Sequence, residues 1–133
     1  MATGTLGTSA RQYHTSQIHY IRKDISFSNG NGAVITLGVI PANSVVIRGG
    51  VVVSTAFNAG TANTLIIGTS ADDDGFATAL ALGTIGVIVA DEMATTNDAY
   101  VTADTTFTCT LTVSGTAATA GVGHVWIEYL PLI

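Results

Sequence analysis

"VIPANSVVIRGGVVVSTAF", residues 39–57, places one proline-centred turn ahead of a run of valines that carries a single charge, Arg48. Pro41 lacks the backbone donor that a strand ladder needs, and Ala-Asn-Ser suits a tight turn, so one strand ends near residue 40 and a long one follows. Along that strand the period of two predicts Val45, Ile47, Val51, Val53 and Phe57 on one face. Val46, Arg48, Val52 and Ser54 fall on the other. Gly49-Gly50 predicts a β-bulge or the close approach of another backbone.

The same signals recur outward from this stretch. A strand over about 17–28 closes at "SNGNG", and "AVITLGVI" leads into Pro41. "NTLIIGTS" is a short strand, and further strands fit near 84–90, 99–103, 105–114 and 121–130. "FATALAL", residues 76–82, suits either a strand or one helical turn. The clearest alternation is "TTFTCTLTVS", with Phe107, Cys109, Leu111 and Val113 inward and threonines outward. No apolar period of 3.6 persists over the roughly 11 residues that a helix needs. Seven to nine short strands separated by turn signals predict an all-β sandwich or barrel. The opening "MATGTLGTSARQYHTS" has no apolar period, so residues 1–16 are expected to form an extended arm and 17–133 a single domain.

Composition limits the functions available. Hydrophobic residues make up 47% of the chain and charged residues only 10%, against about 25% charged in ordinary soluble domains. No apolar run approaches the roughly 20 residues of a membrane-spanning helix. The shortage of charge leaves two readings open: surface hidden against other chains, or a compact β protein whose surface is Thr, Ser and Asn. Residues 1–23 hold Arg11, Arg22 and Lys23 and no acid, while the rest of the chain holds Arg48 against nine acids. Four basic residues are too few for a nucleic-acid groove. The basic start suits an acidic protein surface, or simply keeps the segment soluble. Cys109 is the only cysteine, which rules out an intrachain disulfide, and no secretory signal opens the chain; synthesis in a cytoplasm is expected.

Catalytic signals are sparse. Asp72-Asp73-Asp74-Gly75 lacks the alternate spacing and closing Glu of an EF-hand, and adjacent acids in an extended loop would point apart. A solvated loop tip is the better reading, and Asp91-Glu92 likewise suits a turn. His124 and Glu128 share a face of the last strand about 13 Å apart, too far for an acid–base pair. Cys109 falls on a core face, where a thiol behaves as a small hydrophobe. No nucleophile elbow, P-loop or H-E-x-x-H occurs, and no two of His14, His19 and His124 have the H-x-H spacing of a cupin metal site. Neither an enzyme nor a cofactor is expected.

In "GVGHVWIEYLPLI", Val125, Ile127 and Tyr129 take one face of the last strand. If that face is core, Trp126 points outward between His124 and Glu128, as interface anchors do. The alternative is a strand buried on both faces.

The order of these parts resembles the jelly-roll capsid cement or decoration proteins of tailed phages. It is carried by a polar arm, then "YIRKDISFSNGNGAVITLGVIPANSVVIRGGVVVSTAFNAGTANTLIIGTSADDDGFATAL", then Thr-rich strands and a terminal "VWIEYLP". Tail-fibre and receptor-binding jelly rolls share part of the pattern. The resemblance implies a jelly-roll-like β-sandwich and a structural role: homo-oligomers on the outside of an icosahedral head, bound to the major capsid protein and tying capsomers together. It brings no catalytic residue, metal, nucleic acid or membrane. Arg11, Tyr13, His14, Arg22, Lys23 and Trp126 are the expected contacts with the shell or with a second subunit, in a dimer or trimer.

Overall fold

The computed structural model describes residues 17–90 and 99–132. Nine strands follow in chain order: β1 (His19–Ser26), β2 (Val34–Ile40), β3 (Ser44–Thr55), β4 (Ala62–Thr69), β5 (Ala77–Ala81), β6 (Gly86–Val89), β7 (Tyr100–Val101), β8 (Thr105–Ser114) and β9 (Val122–Pro131). One 3-10 turn, Phe27–Asn29, links β1 towards β2. The first sheet runs β1-β9-β3-β6, with the two-residue β7 also paired to β3, and the second runs β2-β8-β4-β5. Every pairing is antiparallel. Setting β7 aside, eight strands divide equally between two sheets in the double Greek-key order of a jelly roll. The ambiguous 76–82 segment is a strand, settled by the pairing of β5 with β4.

The alternation in β8 does what its sequence predicts. Phe107, Cys109 and Leu111 are fully buried, Val113 is half-buried against the core, and the threonines face outward. From the first sheet Ile25, Val46, Val51, Val53, Val125 and Ile127 meet them. Burial pushes the Cys109 thiol up to about 12, so it stays protonated and inert at neutral pH. A maleimide should therefore leave the native protein unlabelled and modify this cysteine quickly once guanidinium unfolds the chain. Rapid labelling of the native state would contradict the burial.

β3 departs from simple alternation. Its register against β9 slips between Val46 and Arg48, so Ile47 is an extra residue in the ladder. Ahead of the slip Ser44 and Val46 point inward, and beyond it Gly49, Val51 and Val53 do. Val45 and Ile47 are therefore half-buried, not core, which reverses their expected face, whereas Val51, Val53 and Phe57 stand as expected. The glycine pair marks the other predicted feature. A Cβ on Gly50 would lie 2.2 Å from the Ile88 carbonyl oxygen of β6, so only glycine lets that edge strand approach.

The two edge strands of the first sheet differ. β1 carries Arg22, Lys23 and Asp24, all exposed, and Lys23 lies on the same side as the inward Ile21 and Ile25. Such a charge discourages pairing with another strand. β6 has no charge, and Val87 and Val89 are 63% and 56% exposed.

Candidate functional site

The outer face of the first sheet gathers the singular side chains into cross-strand rows. Tyr20, Glu128 and Arg48 are register partners in one row, and Arg22, Trp126, Gly50 and Val89 in the next. Asp24, His124, Val52 and Val87 form a third. Val125 and Ile127 are fully buried while Trp126 is only half-buried, so the tryptophan is on the outer face. It sits mid-sheet with Arg22 directly across from it.

Side-chain hydrogen bonds link the rows above and below the indole to neighbouring strands. Arg48 Nε donates to Glu128 Oε2 at 2.9 Å. His124 Nδ1 lies 2.7 Å from Asp24 Oδ1, and its Nε2 lies 3.4 Å from Ser54 Oγ. The hydrogen bond with His124 holds the Asp24 carboxyl below its usual range. As expected, His124 and Glu128 do not pair with each other; each is engaged by a neighbouring strand. These exposed pairs contribute little stability. Their effect is to fix side-chain positions around Trp126.

Of the expected contact residues, Arg22 and Trp126 are brought together. Lys23 is separated from them, because adjacent residues of a strand point to opposite sides. Arg11, Tyr13 and His14 lie outside the described residues, as does Asp91-Glu92. Tyr20, Val52, Val87 and Val89 share the Trp126 face and had not been singled out. Tyr20 is 68% exposed, and the only signal for Val87 and Val89 was an uncharged "GVIV".

A second feature lies at the end of the sandwich where β3 and β8 begin and β4 and β9 finish. It is a cleft of about 230 Å³ lined by Thr69, Asp72, Phe76, Tyr100, Val101 and Phe107, among others. The Phe76 and Phe107 rings are 4.9 Å apart. The loop beside it is tightly folded: Thr69 N–H and Gly75 N–H both donate to the Asp72 carbonyl, and a Cβ on Gly68 would lie 2.1 Å from that same oxygen. The turn brings the carboxylates of Asp72, Asp73 and Asp74 within 4.8 Å of one another, correcting the expectation that they point apart. All three are exposed, and a hydrogen bond with Asp72 pushes the Asp74 carboxyl up. They remain best described as a solvated tip. Calcium or EDTA should leave the melting temperature unchanged, because a ligand bound only to the folded state would raise it by mass action. A rise of several degrees with calcium would show a real site.

The molecule is thus an eight-stranded jelly roll with a mixed aromatic, aliphatic and charged face. No family model and no curated protein matches the chain. Solved structures do. A chain in the capsid asymmetric unit of cyanophage Pam1 superposes with a TM-score of 0.66 at 13% identity, over 86% of this chain and 84% of that one. A chain in the capsid of Ralstonia phage GP4 gives 0.59 at 22% identity, over 88% and 86%. One in the acid-stable capsid of Helicobacter pylori bacteriophage KHP30 gives 0.56 at 13%, over 84% and 86%. At these identities the shared property is the fold, which is the jelly roll that the family resemblance implied.

Proposed function

We propose that this chain is a structural, non-catalytic virion protein that binds the outside of an icosahedral phage head and ties neighbouring capsomers together. The observation that carries the reading is the jelly roll shared, over at least 84% of the chain, with chains of three phage capsids. The face around Trp126 supports it: an aromatic anchor with exposed aliphatic neighbours and fixed charges suits a partner that covers it. Adhesion of this kind needs no reaction centre. Each contact removes apolar surface from water at about 25 cal/mol per Å², and a homo-oligomer, dimer or trimer, adds avidity without a single strong site. The protein is made in the host cytoplasm and carried on the head exterior.

Residues 1–16 extend the grip, with Arg11, Tyr13 and His14 as holdfasts on the shell. Ordering such a segment costs about 1–2 kcal/mol per residue, so it grips only where its contacts outweigh that cost. Rebinding to heads stripped of the protein tests the reading: wild type should sediment with them to saturation. Deleting residues 2–14 should leave the circular dichroism and oligomeric state unchanged and lower the occupancy several-fold. Full occupancy by the truncated protein would assign all the contacts to the jelly-roll body, and no sedimentation of the wild type would remove the head as partner.

A further inference from the structure

Apart from the two-residue β7, the sheet edges are β1 and β6 in the first sheet and β2 and β5 in the second. Three of these carry features that block pairing with another chain. β1 has Arg22, Lys23 and Asp24. β2 bulges at Leu37, where its register against β8 slips. β5 sets four residues, Ala77 to Leu80, against three of β4, Leu65 to Ile67, and so bulges as well. Only β6 is both uncharged and in unbroken register.

The open side of β6 presents a defined set of donors and acceptors. Ala90 N–H donates to the Gly49 carbonyl of β3 at 2.8 Å. An antiparallel ladder alternates, so Ile88 and Gly86 also turn their backbone groups towards β3, and Val87 and Val89 turn theirs away. Among the described residues, no backbone bond beyond the strand ladders reaches either valine. Both side chains are exposed on the outer face, whereas Ile88 packs against the core. The partner that suits this edge is an extended strand without charge. A second copy supplies one: two chains of net charge −5 repel wherever their acids meet, and β6 brings none.

We propose that β6 pairs antiparallel with β6 of a second copy, across a two-fold axis at Ile88. Val87 then faces the partner's Val89, and Val89 the partner's Val87, each pair exchanging both N–H···O bonds. A slip of one residue would set the outward valines against the inward Ile88. Centring the axis on Val87 would draw Ile85, in the bend before β6, into the ladder. The two first sheets become one continuous sheet with both Trp126 faces on the same side. Beneath the seam, the exposed Ala79 and Ala81 of β5 are small enough to leave room for the second sandwich. This inference rests on the homo-oligomer proposed above and makes it a dimer, since a two-fold seam closes on itself and cannot build a trimer.

The test needs no particle, so its outcome is independent of head binding. Velocity sedimentation of the free protein at about 0.1 mM, enough to populate a weak interface, should show a dimer. Combining Val87→Lys with Val89→Lys sets like charges opposite each other and should give a monomer with unchanged circular dichroism. Single cysteines report the register even if the lysines disturb the edge. Cys109 is fully buried, so Val87→Cys and Val89→Cys each offer one reactive thiol. On mild oxidation the mixed variants should form a disulfide-linked dimer several-fold faster than either alone. Position 87 faces position 89 of the partner, but lies about 8–9 Å from its own counterpart, beyond disulfide reach. A monomeric or trimeric wild type, a folded lysine variant that still dimerises, or cross-linking no faster in the mixture would overturn the proposal.

Discussion

Trp126→Ala should give a folded protein that binds phage heads about 30-fold more weakly per contact, the loss expected when an interface anchor worth about 2 kcal/mol is truncated. The indole is half-buried on the outer face of β9, away from the buried cluster between the sheets. Its removal leaves no cavity in that core. The cost to the fold is the strand preference and cross-strand contact of one exposed-face position, about 1 kcal/mol or less. Thermal melting of the variant should fall by only a few degrees, while sedimentation with heads, or self-association of the free protein, should drop sharply. A variant that merely unfolds would mean that the indole is packed as core and that the two faces of β9 have been assigned the wrong way round.

Ile127→Ala, one residue further on, should do the opposite. Its side chain is fully buried between the sheets, and truncation removes apolar contacts and leaves a cavity costing about 2–5 kcal/mol. For a domain of this size that corresponds to a melting temperature lower by roughly 8–20 °C. Below that temperature the variant should still bind heads with near-normal affinity, because its loss is in the folding equilibrium and not at the contact. A melting temperature within a degree or two of wild type would contradict the packing described for β9.

These neighbours show why β9 and β8 were legible in the sequence. Both strands keep strict period-two alternation, so Val125, Ile127, Phe107, Cys109 and Leu111 identify the core without knowledge of the partner strands. β3 was legible as a strand but not in its faces. The bulge at Ile47 is set by register against β9, and Gly49-Gly50 in "VVIRGG" signalled a bulge in this strand without placing it at that residue. Gly50, by contrast, announced the close approach that Ile88 makes.

The candidate surface was half legible. Trp126 could be placed on an outward face from its own strand. Arg22 and Trp126 are over a hundred positions apart in the chain, and only the antiparallel pairing of β1 with β9 sets them opposite each other. Val87 and Val89 resemble core residues by composition, and are exposed because β6 lies at the sheet edge with its outer face uncovered. The Asp72–Asp74 turn was misread because its geometry depends on two amides donating to one carbonyl, a pattern that three consecutive aspartates do not reveal.

The most direct measurement is electron microscopy of intact particles labelled with gold-conjugated antibody against this protein. A decoration protein predicts gold distributed around the head shell of every particle, and disruption of the head should not be required to reveal it. Gold confined to tails or tail tips, or particles that carry none, would contradict a role on the capsid exterior.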